Sequence, residues 1–64
     1  MKVYIEKENK RLVLKKNCTG LELLKKLKIN PDTVLLVKNN EIILPEDNLS
    51  KTDDIKILSV VSGG

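Results

Sequence analysis

The chain contains no histidine, tryptophan or phenylalanine, and only one cysteine and one tyrosine. Without histidine, the imidazole-containing zinc sets and the Cys-His and Ser-His dyads of nucleophilic catalysis are excluded. A single cysteine, Cys18, cannot close an internal disulfide. With Tyr4 as the sole aromatic residue there is no stacking platform for unpaired bases, so nucleic acid is not expected as a partner. The longest unbroken apolar run, Val34 to Val37, falls far short of the ~20 residues that span a bilayer. No membrane partner is expected, and with no signal-peptide pattern in the first residues the expected compartment is the cytoplasm. No P-loop or glycine-rich strand-to-helix turn is present, so no bound nucleotide is expected. The acidic pairs Glu46-Asp47 and Asp53-Asp54 lack the spacing of a calcium loop, which leaves no candidate metal site.

What remains is a compact-domain composition. Hydrophobic residues make up 41% of the 64 residues and charged residues 33%, with a net charge of +3. That is enough chain for one small domain and too little for a deep substrate cleft. A weakly basic surface suits a partner of modest negative potential.

Periodicity predicts the elements. Lys2 to Glu6 alternates polar and apolar, placing Val3 and Ile5 on one buried face. A polar turn at Glu8-Asn9-Lys10 leads to a second strand over Arg11 to Lys15, forming an antiparallel hairpin. Thr19-Gly20-Leu21-Glu22 sets a hydroxyl at a helix N-cap and a carboxylate three residues on, a reciprocal capping box. Removing the Thr19 hydroxyl is expected to cost about 0.5–2 kcal/mol, measurable by denaturant unfolding of Thr19→Ala. Leu21, Leu23, Leu24 and Leu27 form the helix's apolar stripe, with Glu22, Lys25, Lys26 and Lys28 outside it. The helix is expected to end near Lys28, ahead of Pro31.

Val34 to Val37 reads as a third strand whose core-facing pair the pattern leaves open. Asn39-Asn40 tolerates left-handed backbone and leads to a short fourth strand over Glu41 to Leu44. Leu49 is a core plug within loop chemistry, and Ile55 to Val61 is the last and longest strand. The fold class is α+β, a mixed sheet of four to five strands with one helix across one face. The helix serves as a crossover that lets the last strand lie parallel to the first, in the centre.

The sequence ends in Gly63-Gly64. Glycine adds no packing and is costly to order, so the pair has little structural use. It has a chemical one: without Cβ atoms, such an end can thread a narrow channel and let a nucleophile or phosphate reach the terminal carbonyl. A carboxylate with a pKa of about 3.3–3.7 is a poor electrophile at neutral pH and must be activated, as by a mixed anhydride with AMP. Residues 1–61 are therefore expected to form the domain and 62–64 a flexible tail.

The hairpin followed by Thr19-Gly20-Leu21-Glu22, the segment from Val37 to Pro45, and above all Asp53 through Gly64 resemble the ThiS/MoaD family of ubiquitin-like sulfur carriers. The resemblance spans the whole chain and implies a β-grasp fold. It also implies a protein cosubstrate, not an enzyme, whose terminal glycine an E1-like enzyme adenylates with ATP and converts to a thiocarboxylate. Carried onto this sequence, Gly64 bears the sulfur and Gly63 supplies the unobstructed approach, while Ser62, Val61 and Val60 dock on the activating enzyme. The implied partners are that enzyme, a sulfur donor such as a persulfide enzyme, and a sulfur-accepting synthase. The length resembles the thiamine-thiazole carriers more than the longer molybdopterin-synthase subunits, and tRNA thiolation is a further acceptor route. A modifier joined through Gly64 to lysines, or a non-covalent binding module, is the alternative.

Alternation in the first and last strands also places Tyr4, Leu58 and Val60 on the side of the sheet away from the helix, a candidate face for the activating enzyme. Cys18 precedes the helix, where a nearby dipole would lower the pKa of an exposed thiol; without a histidine base it reads as a packing residue.

Overall fold

The computed structural model describes residues 1–60. Strands β1 (Lys2–Ile5) and β2 (Lys10–Val13) form the expected hairpin, β2 starting and ending earlier than its apolar pattern implied. A two-residue strand β3 (Cys18–Thr19) enters helix α1 (Gly20–Lys26). A 3-10 turn at Pro31–Thr33 precedes β4 (Val34–Lys38), and β5 (Glu41–Ile43), β6 (Asn48–Leu49) and β7 (Asp54–Ser59) complete the chain order.

Five strands form one mixed sheet in the order β2-β1-β7-β4-β5, and β3 pairs with β6 in a separate two-stranded ladder that the sequence pattern did not anticipate. The last strand is central as expected, parallel to β1 with Val3 opposite Ile55, and antiparallel to β4 with Ile57 opposite Leu36. Val3, Ile5, Ile55, Ile57 and Leu36 therefore share the face that α1 covers, closed by Leu23 and Leu24 from the helix, Leu49 and Met1. The open question at Val34 to Val37 resolves in favour of Leu36, which is buried, whereas Leu35 points to the other side.

Helix α1 is shorter than its stripe. Seven residues cannot sustain a helix unaided, so its ends and its packing hold it. At the start, the Glu22 amide donates to Thr19 Oγ1 at 3.2 Å and the Thr19 amide to Glu22 Oε1 at 2.9 Å, completing the capping box. The Gly20 and Leu21 amides donate to the carbonyls of Asp47 and Pro45 at 3.1 and 2.7 Å. Three first-turn donors thus find partners, two of them on the loop between β5 and β6.

At the other end the helix stops at Lys26, near the expected Lys28. Lys28 takes φ 60°, its amide bonding Lys25 O at 3.1 Å and the Ile29 amide bonding Leu24 O at 2.9 Å. This paired closure ends the helix, so the bias imposed by Pro31 is not what stops it. The apolar stripe is also narrower than expected: Leu23 and Leu24 are buried and Leu27 half-buried, but Leu21 is 47% exposed.

Gly20 is where the helix meets the β5–β6 loop. A Cβ there would lie 2.7 Å from Pro45 O and 2.5 Å from Leu36 Cδ1, so either backbone or core has to move. Gly20→Ala is expected to destabilise the domain by about 1–3 kcal/mol despite alanine's better helix propensity, read as a lowered denaturant midpoint.

Asn39 and Asn40, at φ 50° and 71°, form a two-residue turn between β4 and β5, the left-handed backbone expected of an Asn-Asn pair. The Asn39 side chain donates to Asp53 Oδ1 and accepts from the Asp54 amide, both at 3.0 Å, tying this turn to the start of β7. Asp53 Oδ2 accepts from the Ser50 amide at 2.8 Å.

These contacts set an acid limit. The Ser50 amide, then the Asn39 side chain, lower the Asp53 pKa; the Thr19 amide, then its side chain, lower that of Glu22. With folded values below unfolded ones, the stabilisation is complete above the ordinary carboxylate range of about 3.9–4.3 and is lost as pH falls through the lowered values. Denaturant midpoints measured from about pH 6 down to pH 2 are expected to fall, and the fall to be shallower in Asp53→Asn and Glu22→Gln.

Candidate functional site

The strand registers define a second sheet face that no element covers among the described residues. Across it, Arg11, Tyr4, Lys56, Val37 and Ile42 stand opposite one another in one row, from β2 to β5. In the next row Leu58 of β7 stands opposite Leu35 of β4.

This face is divided. Tyr4 is half-buried among cations: the Arg11 guanidinium lies 5.4 Å from its ring centroid, and its hydroxyl donates to Asn9 Oδ1 at 3.0 Å. Leu58 lies on the apolar half with Leu35, Val37 and Ile42; Ile42 is 71% exposed and Leu35 38%. Val60, 49% exposed, follows β7 at the edge of this half, its amide donating to Thr33 O at 3.1 Å. The expected trio of Tyr4, Leu58 and Val60 thus shares a side of the sheet, with Lys56 separating Tyr4 from the other two. Leu35, Val37 and Ile42 extend the apolar half; sequence reading missed them because only the non-local pairing of β4 with β7 assigns their side.

Val61, Ser62, Gly63 and Gly64, expected to carry the chemistry and to dock, lie outside the described residues. So does the boundary expected between residues 61 and 62. What the structure provides is the place where the described chain ends: Val60, beside the exposed apolar half of the sheet.

Cys18 is not the exposed thiol whose pKa the helix dipole would lower, and it sits as a packing residue. It is half-buried, and desolvation followed by the adjacent Glu22 carboxylate raises its pKa, with Lys16 and Lys26 pulling weakly the other way. Such a group stays a thiol at neutral pH, in keeping with a packing role. Among the described residues no group of three or more His, Cys, Asp or Glu side chains could hold a metal ion, and no helix is long and apolar enough to cross a membrane.

Against known proteins, the model of the ThiS family matches residues 2–64. The chain belongs to the ThiS family. The sulfur carrier protein TtuB of Thermus thermophilus is 37% identical over 57 residues, covering 89% of this chain and 88% of that protein. A protein of Archaeoglobus fulgidus is 44% identical over 43 residues, 67% of this chain and 63% of its own length. The solution structure of a thiamine biosynthesis protein from Geobacter metallireducens aligns over all of this chain and 88% of its own, with a TM-score of 0.62 at 20% identity. That likeness establishes the fold: this ThiS-family chain has the β-grasp architecture, five strands of mixed sheet grasping one helix.

Proposed function

We propose that this chain is a sulfur carrier whose Gly64 carboxyl is the group that reacts. The observation that supports this most is that the family match runs through Gly64, in a chain 37% identical to a sulfur carrier over nearly its whole length. The carboxylate attacks the α-phosphate of ATP on an E1-like partner, releasing pyrophosphate and leaving an acyl adenylate. Hydrosulfide then attacks the acyl carbon and AMP departs, giving the thiocarboxylate. Where the donor is an enzyme persulfide, the first product is an acyl disulfide, and a thiol cleaves it as a second disulfide forms.

The body of the domain supplies recognition and the partner supplies catalysis, so the chain is a cosubstrate. Docking through Val60, Val61, Ser62 and Gly63 is consistent with the apolar half of the open face beside Val60, and a partner contacting Leu58, Leu35 and Ile42 would hold the end of the chain in register. Lys2, Arg11 and Lys56, around Tyr4, offer the same partner a positive flank. The consumer is a sulfur-accepting synthase, and thiamine-thiazole formation is the first acceptor reaction to assay.

Incubation with a ThiS-family activating enzyme, ATP and sulfide, followed by intact-mass analysis, is expected to show one oxygen replaced by one sulfur. No change in mass under conditions that charge another ThiS-family carrier would refute the proposal. Glycine-glycine remnants on partner lysines, with no thiocarboxylate formed, would show a protein modifier instead.

A further inference from the structure

Charge is distributed unevenly along this chain. Residues 10–28 hold seven basic side chains and one acid, Glu22, for a net +6, so the remainder carries −3. The fold brings part of this segment together, because the connection from β2 passes through β3 directly into α1. There an open groove of about 430 Å³ runs between that connection and the helix. Its floor is Leu14, Cys18 and Leu23; Lys16, Lys25 and Lys26 stand exposed around it with one carboxylate, Glu22, which accepts from the Thr19 amide in the capping box.

An apolar floor inside a charged rim is the anatomy of a protein interface. We propose that this groove binds an acidic protein segment carrying an aliphatic side chain: the carboxylates meet the three lysines and the aliphatic group covers Leu14 and Cys18. Nucleic acid fits less well, because phosphates have no use for the apolar floor and the one aromatic residue, Tyr4, lies on the opposite face of the sheet. Leu14 exchanges backbone hydrogen bonds with Met1, at the end of the sheet away from Val60. A partner in the groove therefore leaves Val60 accessible, and both can be engaged at once.

The test is an amide chemical-shift titration of the full chain with a short peptide of aspartates and glutamates flanking a leucine pair. Shifts are expected to cluster at residues 14–18 and 22–26 and to weaken with salt, and the exposed Lys25→Gln, Lys26→Gln double variant, with a parental amide spectrum elsewhere, should lose about tenfold or more in affinity. The peptide's asparagine and glutamine counterpart should not bind. No shifts, shifts spread over every lysine, or equal binding of an RNA hairpin at the same amides would overturn the proposal. A chain lacking Gly64 should titrate unchanged, so failure of sulfur loading and failure of this site are read separately.

Discussion

A chain lacking Gly64 is expected to unfold at the same denaturant concentration as the parent and to accept no sulfur whatever. The stability half of this expectation follows from the core: among the described residues the nine that are buried and apolar lie between Met1 and Ile57. The chemical half follows from reach. Each residue of extended chain spans roughly 3.3–3.6 Å, so removing one withdraws the carboxyl by about that distance from the adenylating phosphate, while reacting atoms need to approach to about 3–3.5 Å. The new terminal residue, Gly63, has the same carboxyl group, so the loss isolates position from chemistry. Intact-mass analysis after charging reads the outcome, with unfolding curves run beside it. Charging at the parental rate would show that the reactive carboxyl is not that of Gly64.

Leu24→Ala is expected to remove about 2–5 kcal/mol, whereas Leu21→Ala should change stability by less than about 0.5 kcal/mol. A domain of this size has roughly 3–10 kcal/mol in total, so the first substitution removes much of it and lowers the melting temperature by roughly 10–30 °C. Leu24 is fully buried beneath the helix and cannot be replaced by collapse from one side alone, since Val3, Ile5, Ile55 and Ile57 on the sheet are themselves buried. Leu21, one turn earlier, is nearly half exposed and lies where the Pro45 carbonyl has drawn the helix start toward the loop. Thermal and denaturant unfolding followed by circular dichroism would check the pair. Equal losses at both positions would mean that the helix packs along its whole leucine stripe.

The contrast between these two leucines shows how far local pattern reaches. Thr19 and Glu22 announced the helix start because a capping box is satisfied within four residues, and Asn39-Asn40 announced its hairpin because two left-handed positions are a property of the turn itself. Val3, Ile5, Ile55 and Ile57 were legible as one face because strand alternation has a period of two whatever lies beyond. Leu21 was assigned to the core because helical spacing alone cannot tell which part of a stripe the sheet will cover. Lys28 was read as helical because a non-glycine residue at positive φ leaves no mark in composition; the Lys25 and Leu24 carbonyls and the docking of Ile29 hold it there. The ladder of Cys18 with Leu49 is likewise invisible locally, its strands being two residues each and thirty apart in the chain.

For the candidate site the division is sharper. The sequence by itself determined what the proposed chemistry rests on: a Gly63-Gly64 pair without side chains, and neither histidine nor a nucleotide loop. Those are properties of residue type and order, which no fold changes. Only the tertiary structure decided what stands beside Val60, where the described residues end. It set Leu35, Val37 and Ile42 on the side of Leu58, placed Lys56 between them and Tyr4, and brought Lys16, Lys25 and Lys26 around a separate groove. The reason is that a sheet face is a product of pairing register. Residues far apart in sequence become neighbours only when β7 is inserted between β1 and β4, a long-range choice made by burial of the other face.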